Sequence, residues 1–157
     1  MQVDNSLPSA GFFRRFGALF YDLLIIIAIE MIAAGVIVAV LHALMAINLF
    51  DPAPYVDVSD FLSNHPLWSL VYSLYLALVW GYFLIFFWTR AGQTLGMRAW
   101  RIQIRSCEGG FISVKQSLLR MATSFFGFAI VTVLLGGEKR AVHDYCSQSL
   151  VVVLPKP

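Results

Sequence analysis

The sequence predicts an α-helical membrane protein, with an antiparallel pair of transmembrane helices, a third apolar segment and a short β pairing at the cytoplasmic surface. Three observations carry this. First, 59% of the 157 residues are hydrophobic and only 13% charged, where soluble domains carry about 25% charged residues. Second, two apolar runs, residues 16–47 and 67–89, each reach the roughly 20 residues that a bilayer-spanning helix needs. Third, Trp100 to Arg105 alternates with period two and the chain closes on the β-branched run Leu150–Leu154, a pattern suited to two paired strands. At this length and without a linker-like stretch, residues 1–157 read as one domain.

Pro8 and Gly11 discourage helix before about Phe12. The first span then runs to Ile47, broken only by Asp22, Glu30 and His42. It is far longer than the core of a cleavable signal peptide, so it is expected to stay in the mature protein. The connection from Asn48 to Pro66 has three prolines, three aspartates and no Lys or Arg. It reads as an ordered loop with one helical turn capped by Ser59. The second span is uncharged, with Pro66 at its first helical position and Trp68 and Trp88 at its two ends.

Residues 90–120 hold Arg90, Arg98, Arg101, Arg105, Lys115 and Arg120 against the single acid Glu108. The positive-inside rule places that stretch, and Arg14 and Arg15, in the cytoplasm, giving a multi-pass protein of the inner membrane with a cytoplasmic N-terminus. Ser117–Leu135, closed by Gly136 and Gly137, is too short to decide between a third span, an interfacial helix and a re-entrant hairpin broken near Gly127.

Several chemistries are excluded. A net charge of +2 without a Lys/Arg run does not suit nucleic acid. Cys107 and Cys146 have no zinc or redox spacing and are expected as free thiols. With three histidines, His143-Asp144 lacks the companions of a metal-dependent hydrolase, and no nucleophile elbow or phosphate loop occurs. Neither an enzyme, a metal site nor a cofactor is expected, and His42 and His65 read as boundary residues. The partners expected are membrane lipids, a second copy of the chain, and an ion or small ligand that the sequence does not name.

Two patterns remain. Ser69, Ser73, Ala77 and Gly81 recur every four residues on the second span, and Gly35, Ala39 and Ala43 do so on the first. Small residues let helices approach closely in lipid, so the two faces are expected to pack within the chain, dimerisation being the alternative. Arg15, Ala18 and Asp22 share one helical face, with Glu30 eight residues deeper. A carboxylate at such depth needs a proton or a cation. Arg15 is about 10 Å from Asp22 along the axis, so the expected partner is Arg120, with Arg98 second.

The order Arg15-x-x-Ala18-x-x-x-Asp22, Gly92-Gln93-Thr94-Leu95-Gly96-Met97-Arg98, Arg120 and Lys139-Arg140-Ala141-Val142-His143-Asp144 resembles the RDD family of small bacterial membrane proteins from about Gly11 to Val153. The resemblance implies that the family's name residues fall on Arg15, Asp22 and Asp144. It also implies suspected transport, antiporter-like sodium/proton activity having been proposed for some members of a family whose function is mostly unknown. Gln148-Ser149-Leu150-Val151-Val152 departs from the family's small-Thr-Val-Val segment, and Glu30 is not part of its pattern. Two functions follow: an ion-translocating component with Asp22, joined by Glu30, as titrating group, or a membrane scaffold whose Arg15, Asp22, Arg120 and Asp144 are structural. The charge asymmetry makes a concrete prediction. A cysteine introduced at Ser59 should react with an impermeant thiol reagent in intact cells; labelling only after lysis would reverse the topology.

Overall fold

The computed structural model describes residues 7–134 and 139–155. Six helices, one 3-10 helix and two strands are found there, in the order α1 (Phe12–Ala46), α2 (Val58–Asn64), α3 (Trp68–Arg90), α4 (Leu95–Ala99), β1 (Ile102–Ser106), α5 (Val114–Thr123), the 3-10 helix Phe125–Leu134, α6 (Val142–Cys146) and β2 (Ser149–Val153). The chain divides into two compact units, residues 26–82 and the remainder. α1 and α3 are the two helices long and apolar enough to cross a membrane, and α5 with the 3-10 helix, bent by 77°, makes a third candidate. The Gly136-Gly137 end expected for that segment lies outside the described residues.

In the unit of residues 26–82, α1 and α3 form a hairpin closed by the connection between them. Val58, Phe61 and Leu62 are buried against Ile37, Val38, Leu41, Met45, Phe50, Tyr55 and Tyr72. Phe61 packs edge-on against Phe50 and Tyr55. α2 is capped by Asp57, not Ser59: the Asp57 carboxylate accepts from the Asp60 amide at 2.8 Å. Asp57 lies one residue before the helix, where a carboxylate meets free amides. α3 begins at Trp68, two residues after Pro66, and the His65 ring nitrogen Nδ1 accepts from the Leu67 and Trp68 amides at 3.2 Å.

The expected packing of the two small-residue faces does not occur. Gly35, Ala39, Ala43, Ser73 and Ala77 are exposed, Ser69 is half-buried and Gly81 alone is buried. A Cβ on Gly35 would meet nothing within 4 Å. The hairpin contact runs instead along the face of Ala33, Ile37 and Leu41, where the Tyr75 hydroxyl donates to the Ala33 carbonyl at 3.4 Å. The aromatic rings and the connection on that side offer many more van der Waals contacts, and a hydrogen bond, than a glycine stripe, and in lipid packing contacts and hydrogen bonds decide which face turns inward.

The other unit holds residues 7–25 and the described residues from 83 onward. β1 and β2 pair antiparallel, Ile102 opposite Val153 and Ser106 opposite Ser149, the pairing that the two sequence patterns suggest. β1 starts two residues later than the alternation because Trp100 ends α4 and Arg101 takes a φ of 54°. Ala10 and Pro8 join the far edge through Ala10 N–H to Val151 O at 2.8 Å and Val153 N–H to Pro8 O at 2.9 Å, so the N-terminal lead is bound to the sheet. Ala10, Ala18, Trp88, Met97, Ile102, Ile104, Ile112 and Val151 form the core.

α5 is arranged inside out. Ser117 and Arg120 are buried and Gln116 half-buried, whereas Val114, Leu118 and Leu119 face outward. A polar inward face and an apolar outward one suit a helix with lipid outside. Gly92 fixes the turn that follows α3: its φ is +64° and a Cβ there would stand 2.6 Å from the Ile104 carbonyl oxygen, and the Ile104 N–H donates to the Gly92 carbonyl at 2.7 Å. Two substitutions read the difference. In detergent, Gly92→Ala should lower stability by at least about 1–2 kcal/mol, whereas Gly35→Leu should change it by no more than about 0.5 kcal/mol. Thermal unfolding checks both, and the reverse ranking would mean that the Gly35 face is packed.

Candidate functional site

Arg15 in the first turns of α1, Arg120 in the last turn of α5 and Asp144 in α6 converge on one buried point. Asp144 is fully buried. Arg15 donates from Nη1 to its Oδ2 at 2.6 Å, and Arg120 from Nη1 to its Oδ1 at 2.6 Å. The Ala141 amide adds a third donor at 2.9 Å, Asp144 reaching back over the first turn of its own helix. The guanidinium groups have further partners. Arg15 donates to the Ala10 and Lys139 carbonyls, both at 2.9 Å. Arg120 donates to the Ser149 hydroxyl at 2.6 Å and lies 5.7 Å from the Trp88 ring centroid.

Asp22 forms a second, separate site. Its Oδ2 accepts from the Thr94 hydroxyl and its Oδ1 from the Gly96 amide at 2.8 Å. Thr94 is also the N-cap of α4, accepting from the Met97 amide at 3.3 Å. The close approach depends on two small residues: a Cβ on Gly96 would be 2.3 Å from the Ala18 carbonyl and 2.8 Å from Asp22 Cγ. Ala18 is itself buried. The Arg15, Ala18, Asp22 face is therefore one line of attachment, Arg15 to α6 and Ala18 and Asp22 to α4.

The pairing expected for Asp22 is thus corrected. Arg120 is consumed by Asp144 and Ser149, and Arg98 is exposed. Neither meets Asp22, because the free amide and hydroxyl at the start of α4 satisfy a carboxylate without a second ion. Thr94, Trp88, Ala141 and Ser149 complete the two sites; the sequence reading met them at a span end or within motifs and gave none of them a part in a site. Thr94 alone carried a legible signal, a threonine just ahead of a short helix.

His143 is buried beside Asp144, its Nε2 3.5 Å from Oδ1, and its Nδ1 has no hydrogen-bond partner among the described residues. Burial, with Arg120 and Arg15 close by, lowers its pKa to about 3 although Asp144 pulls the other way. Burial alone would raise the Asp144 carboxyl, but Arg120, Arg15, His143 and the Ala141 amide together hold it at about 2. Glu30 differs from these: neither carboxylate oxygen is accessible, and neither has a hydrogen-bond partner among the described residues.

The sequence model of the RDD family matches residues 9–148. The chain belongs to the RDD family. Comparison with curated proteins and with solved structures gave no match. In this RDD protein the matched stretch contains both buried sites, Arg15 with Asp144 and Arg120, and Asp22 with Thr94 and Gly96.

The two shifted groups set a pH dependence whose sign follows from proton uptake. Between about pH 6.5 and 3 unfolded His143 binds a proton that the folded protein excludes, so acid favours unfolding there. Asp144 extends the loss from about pH 4 to 2, because its folded carboxyl stays ionised while the unfolded one is protonated. Stability in detergent should fall from pH 7 to 4 by up to about 1.4 kcal/mol per unit. In His143→Gln the slope between pH 6 and 4.5 should flatten. An unchanged slope in urea titrations of the two proteins would show that His143 is not excluded from protonation.

Proposed function

We propose that the chain is a scaffold in the inner membrane whose charged motif is structural, tying the start of the first span to a basic cap on the cytoplasmic side. The observation that carries this is the occupancy of the two carboxylates: each oxygen of Asp22 and of Asp144 already accepts from a fixed donor. A carboxylate so held gains nothing by taking up an ion and loses donors if it does. The cap exposes Arg14, Arg90, Arg98, Arg101 and Lys115, and the connection 48–66 has no basic residue. That asymmetry supports a cytoplasmic cap and N-terminus, and anionic lipid headgroups as its partner.

An ion-translocating component is the second reading. Asp22 supports it less than its position in sequence suggests, because its donors belong to the backbone and the cap of α4. Glu30 supports it more, its oxygens being enclosed and without a donor among the described residues.

Reconstitution separates the two. For the scaffold, ion flux into proteoliposomes should equal that of empty liposomes, and Asp22→Asn should lose about 1–3 kcal/mol of stability, because its one carbonyl oxygen replaces only one of the two acceptors that Gly96 N–H and the Thr94 hydroxyl now use. Ion-selective flux that Asp22→Asn abolishes while the protein stays folded would refute it.

A further inference from the structure

The carboxyl of Glu30 is the one acidic side chain of α1 that the contacts around the two buried sites leave unused. Asp22, the other, accepts from Thr94 and Gly96. Glu30 lies in the unit of residues 26–82, where the hairpin is antiparallel and the Tyr75 hydroxyl touches the Ala33 carbonyl. Three residues back from Ala33 on α1 corresponds to three residues forward from Tyr75 on α3, so Glu30 is level with about Leu78, near the middle of Trp68–Arg90. The i, i+3 and i+7 relation puts Glu30 on the side of Ala33 and Ile37, the face that packs in the hairpin.

From Trp68 to Tyr82 α3 carries no Asp, Glu, Lys, Arg or His. Its titratable groups there are Tyr72, Tyr75 and Tyr82, and Tyr75 spends its proton on Ala33. α1 adds His42, three turns on, whose Nδ1 lies 2.8 Å from the Val38 carbonyl. α2 and the turn after it add Asp60, which accepts from Val56 and Asn64, and His65, which accepts from Leu67 and Trp68. Residues 26–82 hold no Lys or Arg, so this unit offers Glu30 no lysine or arginine as countercharge. The Glu30 side chain is half-buried, but both its oxygens are enclosed and neither has a donor among the described residues, and an ionised carboxylate so placed is among the most costly groups a span can hold.

We propose that Glu30 is a proton-binding site inside the membrane span, its carboxylate and a proton from water combining reversibly to the neutral acid. Protonation forms one O–H bond and consumes one positive charge, with no other reactant. A metal cation is the poorer fit, since hard cations take about six or more oxygens and the backbone carbonyls around Glu30 are spent on helical bonds. The site is separate from the motif of the two buried sites, and it binds its proton whether or not protons cross the membrane.

Dicyclohexylcarbodiimide tests this on the full chain in detergent, because it adds to protonated carboxyls in apolar surroundings and leaves a stable N-acylurea that peptide mass spectrometry locates. The expected result is an adduct on Glu30 at neutral pH, reduced at least tenfold by raising the pH while the helical circular dichroism is unchanged. Sodium or lithium at constant pH should have no effect, and Glu30→Gln should show no adduct at that peptide. An unmodified Glu30 across the pH range overturns the proposal, and so does an adduct that sodium or lithium suppresses, which would make the site one for a metal cation. Scaffold function is read by ion flux and by Asp22→Asn, so either idea can fail without the other.

Discussion

Asp144 has no contact with water, and a carboxylate in that position is stable only if its surroundings replace every hydrogen bond that water would supply. Arg15, Arg120 and the Ala141 amide do so, and in doing so they bring together segments 129 and 24 residues apart. The start of α1, the end of α5 and the first turn of α6 are held by the same two oxygens. The N-terminal lead follows, because Arg15 also bonds the Ala10 carbonyl and Ala10 is the residue that joins β2.

Two guanidinium groups on one carboxylate leave one positive charge in excess. The structure offsets it with neutral dipoles and a ring: the Ala10 and Lys139 carbonyls on Arg15, the Ser149 hydroxyl and the face of Trp88 on Arg120. It also accounts for His143, which sits against this charge and is kept neutral by burial and by the two arginines. Buried ion pairs of this kind add little net stability compared with apolar packing, but removing one member strands the others at a cost of about 3–5 kcal/mol.

Asp22 shows a different solution to the same problem. Instead of a countercharge it uses the start of a five-residue helix, where an amide and a threonine hydroxyl are free, and the approach is possible because Gly96 and Ala18 remove the side chains in between. An aspartate inside a span is often read as a pathway residue. Here its two oxygens are held by Thr94 and Gly96, and the carboxyl left without donors among the described residues is that of Glu30.

The spans, the connection between them, the two strands and the shared face of Arg15, Ala18 and Asp22 were legible in the sequence, because each depends on hydropathy or a local period. Spans need only about 20 apolar residues in a row, and a helical face needs only the 100° step. Which partner each charge takes was not legible: Asp22 meets Thr94 and Gly96 rather than Arg120, and Arg120 meets Asp144. Nor was the face on which α1 and α3 touch, since Gly35, Ala39 and Ala43 turn outward. These choices rest on distances between segments remote in sequence, where the supply of donors and of apolar area is set by packing. Hydropathy and local period establish that the chain is a membrane protein and which side chains need a partner; packing between segments remote in the chain selects the partner of each.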